Sequence, residues 1–187
     1  SMWFSLIEFL GGRGVIIGNT FDGNFHIPTT GYYSISYGSL IEVKGSWEIA
    51  HNLFRNNSSG ASSGSGGVIS FAYGDADICN NKFLNNTGCV IIGYNTGSSG
   101  PFIHDNEFLN NSGSKGTVRL EYYNNSTINH NEFQGNSCAS YGTVYINRGN
   151  AIVSNNLFVN NSNANCQIIG VNIGNATIHD NKFLNNQ

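Results

Sequence analysis

Charged side chains are scarce in this chain, at 10 % of residues against about a quarter in an average soluble protein. The formal net charge is −3, so the sequence gives no electrostatic reason to expect binding to nucleic acid or to an anionic membrane. No apolar run approaches the roughly 20 residues that a membrane-spanning helix needs, and no membrane span is predicted. No C-x-x-C motif occurs, which excludes a zinc knuckle and a thioredoxin-type redox site.

Long segments with helical periodicity are also missing, and the abundant Gly and Asn residues disfavour helix interiors. Hydrophobic residues make up 39 % of the chain, which argues against a disordered protein. The segments that remain are short and alternate between apolar and polar residues, as in residues 117–122 (TVRLEY) and 143–146 (TVYI). This pattern predicts an all-β protein built from short strands.

A nine-residue motif, I-x-x-N-x-F-x-x-N, occurs seven times, with Val replacing Ile in the sixth copy. The spacings between its Phe residues are 33, 29, 25, 25, 25 and 25 residues. A fixed period of this size is typical of stacked repeats. Leucine-rich repeats have a similar period, but they need an L-x-x-L-x-L run that this chain lacks.

Each unit of about 25 residues holds three short strands, which is one rung of a right-handed parallel β-helix. We therefore predict a solenoid of about seven three-strand rungs, forming a single domain over residues 1–187. Ile7 falls on the first strand of the first rung, by its distance from Ile16. Because both ends would be open sheet edges, we expect a fragment of a longer solenoid, or end-to-end stacking with flanking repeats or with itself.

The repeated Phe and Asn residues have a structural explanation in such a stack, and we assign them no chemistry. The Phe residues are predicted to form an internal aromatic column: Phe21, Phe54, Phe83, Phe108, Phe133, Phe158 and Phe183. The Asn two residues before each Phe is predicted to occupy a left-handed bend and to form an internal amide ladder: Asn19, Asn52, Asn81, Asn106, Asn131, Asn156 and Asn181. The Asn three residues after each Phe would begin the next turn.

Ligand-binding candidates lie where the repeat is irregular or where a strand residue faces outward. Loop insertions are predicted at about residues 25–40 and 58–67, on one edge of the solenoid. Tyr residues in the first insertion either contact a sugar or protein ligand or simply cover the core. The candidate binding residues are Tyr32, Tyr33, Tyr37, Glu42, Arg119, Glu121 and Tyr145.

The sequence offers no catalytic residue that we can assign. Glu42 lies three predicted rungs from Glu121, roughly 14 Å, which is too far for the carboxylate pair of a glycoside hydrolase. Cys79 and His104 occupy equivalent positions in successive rungs, but no further ligand matches them, so neither a metal nor a cofactor is expected. On the outer surface, Lys82 is expected to pair with Glu107.

Two interpretations remain open for the four cysteines. Cys138 and Cys166 lie in the same kind of turn, 28 residues apart against a period of 25, and could form a disulfide. Alternatively, all four are small buried hydrophobic residues.

The repeat unit resembles those of the pectate-lyase-like right-handed β-helix superfamily. Its F-x-x-N half, present in all seven units, together with GGVI at residues 66–69, is similar to the repeats of polymorphic membrane proteins and of adhesin-like surface proteins. This resemblance implies a non-catalytic protein, extracellular or on the cell surface, whose partner is a glycan or protein on a host or neighbouring cell. The alternative is a carbohydrate-active module, a lyase or hydrolase, or an inactive relative of one.

Overall fold

The computed structural model describes residues 5–25, 39–59, 66–94, 100–113, 115–164 and 166–187. These residues form 22 β-strands and no helix, and every strand pairing is parallel. The chain is a β-solenoid, a parallel β-helix, as the repeat predicts.

The first two strands of the turns belong to one twelve-stranded sheet. Its first half contains β1 (Ile7–Phe9), β4 (Ile41–Lys44), β7 (Gly67–Ala72), β10 (Cys89–Tyr94) and β14 (Val118–Glu121). Its second half contains β2 (Arg13–Ile17), β5 (Ser46–Ala50), β8 (Ala76–Cys79), β11 (Phe102–His104) and β15 (Ser126–Asn129). Two long strands join the halves, β18 (Val144–Ser154) and β21 (Ile169–His179).

The third strands of the turns form a separate seven-stranded sheet, which carries the repeated Phe residues. Its strands are β3 (Thr20–Asp22), β6 (Leu53–Arg55), β9 (Lys82–Leu84), β12 (Glu107–Leu109), β16 (Glu132–Gln134), β19 (Leu157–Val159) and β22 (Lys182–Leu184). A small third sheet at the following turn contains β13 (Ser112–Gly113), β17 (Ser137–Cys138) and β20 (Ser162–Asn163).

The turns are not all alike. Repeats three to seven keep the 25-residue spacing and make about five regular turns, slightly fewer than the predicted number of about seven. The first two repeats are longer but add strands to the same sheets. In the last two turns the first and second strands are continuous, because only a left-handed residue, Arg148 or Ile173, separates them.

The core is a column of apolar side chains along the solenoid axis. Neighbouring Phe rings in the seven-stranded sheet stack with centroids 4.7 to 5.0 Å apart and planes within 7° of parallel. This spacing matches the separation of parallel strands, so each ring contacts the ring above and the ring below. Five of these side chains, Phe54 to Phe158, have no solvent exposure.

The Asn residues two positions before each Phe form a continuous amide ladder. Each Nδ2 donates to the Oδ1 of the equivalent Asn in the next repeat, at 3.0 to 3.1 Å, from Asn19 through Asn181. The backbone N–H of each of these Asn residues donates to the same Oδ1. The amides therefore satisfy one another, and those from Asn52 to Asn156 are buried.

The left-handed bend does not lie at the ladder Asn, where the sequence placed it. It lies at the residue just before: Gly18, His51, Asn80, Asp105, His130, Asn155 and Asp180 all have positive φ. The ladder Asn instead uses its side chain to bridge successive turns across that bend.

A second ladder, which the sequence analysis did not predict, runs through the Asn residues three positions after each Phe. Asn24, Asn57, Asn86, Asn111, Asn136, Asn161 and Asn186 are linked by amide hydrogen bonds of 2.9 to 3.0 Å. From Asn57 onward, each Nδ2 also donates to the carbonyl oxygen of a Phe in the preceding repeat. Every Phe strand is thus bounded by a ladder on both sides, which fixes its register.

Candidate functional site

The outer face of the first sheet half brings three of the predicted binding residues together. Val118 and Leu120 on β14 point into the core, so Arg119 and Glu121 between and after them point outward. β14 pairs with β18 in a register that places Arg119 beside Tyr145 and Glu121 beside Asn147. Arg119, Glu121 and Tyr145 are therefore neighbours on this face.

Arg119 and Glu121 form an ion pair on this face, and each side chain is only 13 % exposed. Asn147 Nδ2 donates a second hydrogen bond to Glu121 Oε2 at 3.2 Å. Because both charges are partly withdrawn from water, their mutual attraction is stronger than that of an exposed pair. The two charged side chains are therefore held in place on the outer face by their ion pair and by Asn147.

Two tyrosines cover one side of this ion pair. The Tyr141 ring lies 5.2 Å from the guanidinium carbon of Arg119, a cation–π contact, and its centroid is 4.6 Å from that of Tyr145. Tyr141 is 38 % exposed, whereas Tyr145 is 8 % exposed. Tyr141 is therefore the ring that a ligand can reach, and Tyr145, the predicted residue, supports it from beneath.

A second cluster, the aromatic corner, lies at the end of the same strands and consists of Tyr73, Tyr94, Tyr122 and Arg148. Tyr94 meets Tyr122 edge to face with centroids 5.0 Å apart. Arg148 lies over the Tyr122 ring at 5.4 Å and donates from Nη1 to the Tyr122 hydroxyl at 3.0 Å. Burial, together with Tyr122 and Glu121 nearby, raises the pKa of Tyr94 above its usual range.

The aromatic corner contains large residues with a left-handed backbone conformation. Tyr73, Tyr122 and Arg148 have φ of 57°, 63° and 54°, in the left-handed region that bulky residues rarely adopt. Gly45 occupies the equivalent bend after β4, with φ of 101°. A left-handed bend at this corner is thus built with Gly in one turn and with large side chains in others.

Glu42 does not join this site. It shares the outward register with Arg119 but lies three ladder positions away, through Ser70 and Ile92. It was expected to be open to solvent, but it is 6 % exposed. Ser5 Oγ donates to its carboxylate at 3.3 Å and Lys44 Nζ lies 3.6 Å away, so the carboxylate is engaged within the protein.

The predicted loop insertions lie mostly outside the described residues, and with them Tyr32, Tyr33 and Tyr37. The described ends of the second insertion are regular structure. Ser58 bridges Phe25 and Thr87, Ser59 N donates to the Thr87 carbonyl oxygen, and Gly67 begins β7. Residues 60–65 of this insertion lie outside the described residues.

The cysteines are four free thiols, and the disulfide between Cys138 and Cys166 is not formed. The register pairs Cys138 with Asn163, three residues before Cys166. Cys166 Sγ instead donates to the Ala139 carbonyl oxygen at 3.5 Å. Cys79, Cys89 and Cys138 are buried, as the alternative interpretation predicts, but Cys166 is partly exposed, so that interpretation is wrong for the fourth cysteine.

Tyr73, Tyr94, Tyr122, Tyr141 and Arg148 belong to the site but were not identified from the sequence. Three of them could have been recognised from their shared position in the repeat. Tyr73, Tyr122 and Arg148 each follow directly after the position equivalent to the end of β14. The recurrence of large residues at this one position of the turn would have identified the aromatic corner.

No protein-family model matches the chain, and no curated protein matches it. Among the residues that the structure describes, none belongs to a helix of the length and apolar character needed to cross a bilayer.

Proposed function

We propose that the protein is a non-catalytic β-solenoid, secreted or displayed on a cell surface, that binds a glycan or protein ligand. The binding surface consists of the Arg119–Glu121 pair with Tyr141, and of the adjoining aromatic corner. The observation that carries the proposal is the left-handed backbone conformation of Tyr73, Tyr122 and Arg148.

The left-handed bend belongs to the fold, but the fold does not require a large side chain there, since Gly45 forms the equivalent bend. A left-handed conformation destabilises an L-residue by roughly 1 to 2 kcal/mol, and Gly or Asn relieves it. Asn occupies equally left-handed positions elsewhere in this chain, as at Asn80 and Asn85. Tyr73 is 63 % exposed, so its ring adds little to the core that would offset the strain. Strained residues that the fold does not need are typical of binding surfaces.

The chemistry of the surface suits sugar rings and polar protein surfaces. Tyr rings offer flat apolar faces with a hydroxyl at the edge, and they lose little conformational entropy on binding. Arg148 and the Arg119–Glu121 pair supply charged donors and acceptors beside those faces. The resemblance of the F-x-x-N repeats to those of polymorphic membrane proteins and adhesin-like proteins supports the same role and an extracellular location.

The experiment compares wild type with Tyr73→Asn and Arg148→Asn on an array of glycans and on a panel of surface proteins. Both variants should lose at least about tenfold in affinity for the ligand of the wild type. Tyr73→Asn should at the same time raise the free energy of unfolding by about 1 kcal/mol, because Asn tolerates the bend. Arg55→Asn, on the opposite Phe sheet, removes a comparable exposed Arg and should leave binding unchanged.

Two outcomes would contradict the proposal. Binding that survives both corner substitutions would place the ligand elsewhere. Release of products from a polysaccharide, abolished by Glu121→Gln, would favour the carbohydrate-active alternative.

A further inference from the structure

A group of three metal-binding residue types lies on the second half of the large sheet, away from the aromatic corner. β8 pairs with β11 so that Cys79 lies beside His104, and Asp77 precedes Cys79 by two residues on the same strand. One ligand atom from each of Asp77, Cys79 and His104 lies within 4.8 Å of the other two. Cys79 and His104 are recognisable as a pair from the repeat, whereas Asp77 was not predicted as the third member.

The His104 ring is held in one orientation by three contacts. It stacks on Phe102 with centroids 3.9 Å apart. Its Nδ1 lies 2.6 Å from a carboxylate oxygen of Asp105, and its Nε2 lies 3.0 Å from Oδ1 of Asp77. One ring nitrogen is therefore engaged by Asp105 while the other points toward Asp77.

This arrangement is typical of histidines that bind metals. A metal-ligating His commonly donates its second ring N–H to a carboxylate, which fixes the tautomer and orients the ring. Asp105 stands in that position. The contact between His104 and Asp105 follows because the two residues are adjacent in the chain at the bend formed by Asp105.

We propose that Asp77, Cys79 and His104 bind a divalent transition-metal ion of the zinc class, with Asp105 orienting His104. The ligands would be a carboxylate oxygen, the thiolate sulfur and Nε2 of the imidazole. A thiolate favours zinc, cobalt or copper over Mg²⁺ or Ca²⁺, and the imidazole does the same.

The dimensions fit such an ion after small side-chain movements. Ligands of one tetrahedral zinc ion lie about 3.5 Å from one another, as follows from metal–ligand distances of about 2.0 to 2.3 Å. The three ligand atoms lie within 4.8 Å of one another, so reaching this separation takes shifts of roughly 1 Å. Because the Asp77 side chain is 51 % exposed, a fourth position faces solvent and can hold water or a group from a partner molecule.

The chain contains its own control for this site. The sequence IHDN occurs twice, at residues 103–106 and at residues 178–181. In the second copy His179 Nδ1 also contacts the adjacent Asp180, at 2.7 Å. Its neighbour in the preceding turn is Ser154, however, where His104 has Cys79. The two histidines therefore share an orienting carboxylate and differ in the neighbouring thiol.

Titration of the reduced, chelator-treated protein with Co²⁺ tests the proposal. We expect one ion per chain and a thiolate-to-cobalt charge-transfer absorption that Zn²⁺ removes by competition. Cys79→Ser should abolish that absorption, and His104→Gln or Asp77→Asn should weaken binding by more than about 100-fold. Asp105→Asn should weaken it by about 10- to 100-fold, and His179→Gln should leave it unchanged.

A second measurement needs no variant. Zn²⁺ should slow alkylation of Cys79 in the native wild type and leave alkylation of Cys166 unaffected, as mass spectrometry of the labelled peptides would show. The absence of a thiolate band in the wild type, or its persistence in Cys79→Ser, would overturn the proposal. Equal losses of affinity in His104→Gln and His179→Gln would also overturn it, because ion binding would then not depend on the neighbouring thiol.

Discussion

The Asn106 side chain illustrates how single residues hold this fold together. Its Nδ2 lies within hydrogen-bonding distance of the Ile78 carbonyl oxygen (2.8 Å), the His104 carbonyl oxygen (2.8 Å) and Asn131 Oδ1 (3.0 Å). Its Oδ1 accepts from the backbone and side-chain nitrogens of Asn81. No other residue type offers a donor and an acceptor at the same reach, which explains why Asn recurs in every turn.

Asn106→Asp should therefore destabilise the protein by at least about 3 kcal/mol, although the two side chains have the same shape. The change replaces a donor by a carboxylate oxygen that faces three acceptors in a buried site. Urea-induced unfolding measures the effect. Asn85→Asp is the matched control, because Asn85 is exposed and lies outside both ladders; its effect should stay within about 0.5 kcal/mol. Equal effects in the two variants would show that the ladder does not stabilise the fold.

Phe108→Ala tests the aromatic column at one position. Its ring is fully buried between Phe83 and Phe133, at centroid distances of 4.8 and 4.7 Å. Truncation leaves a cavity between rings that the backbone ladders hold apart, so we expect a loss of about 3 to 5 kcal/mol in unfolding free energy. Leu109→Ala, on the outward side of the same strand, should cost much less. A loss below about 1 kcal/mol for Phe108→Ala would contradict the internal column.

In each sheet, the register places equivalent residues of successive turns side by side. Side chains at the same position of neighbouring turns therefore interact directly. On the outer side of the Phe sheet, Lys82 pairs with Glu107 at 2.7 Å, as predicted. Glu132 follows Glu107 in the same register, so two like charges lie on adjacent strands. Such pairs weaken a sheet by a few tenths of a kcal/mol.

Glu132→Lys should convert this column into alternating charges and raise the free energy of unfolding by about 0.5 kcal/mol. The gain should shrink at high salt, because the charges are exposed and screened. Glu107→Lys should change the free energy of unfolding little, since it loses the pair with Lys82 but turns the repulsion with Glu132 into an attraction. Thermal melts at low and high ionic strength would measure both, and a gain that is independent of salt would rule out the electrostatic cause.

For the whole molecule, the repeat predicted the class of fold and the inward Phe column, because a fixed period states which residues share a position in every turn. It did not locate the left-handed bend, because Asn suits both a bend and an amide ladder, and only the backbone distinguishes them. It also left Glu42 exposed. Its burial depends on Ser5 and Lys44, and the register alone does not specify how such side chains fold onto the face. Asp77 could have been found, since it precedes Cys79 by two residues and strand side chains alternate.

The buried thiols make the stability of the whole solenoid sensitive to alkaline pH. Burial raises the pKa of Cys89 to about 12 and that of Cys138 to about 11. Burial also raises the pKa of Tyr123. In the unfolded chain a thiol ionises near pH 8.5, so above that pH the native state retains protons that the unfolded state has lost.

The free energy of unfolding should therefore be independent of these thiols below about pH 8 and should fall as the pH rises toward the native pKa values. Each thiol contributes a slope of about 1.4 kcal/mol per pH unit in that window, up to about pH 11 for Cys138 and about pH 12 for Cys89.

Urea unfolding of the reduced protein between pH 8 and 11 measures the slope. Lysine and tyrosine titration adds to it in every variant, so the informative quantity is the difference between wild type and Cys89→Ala/Cys138→Ala. The double variant should start less stable, because it creates cavities, and should lose less stability as the pH rises. Parallel slopes would mean that water reaches the two thiols in the native protein.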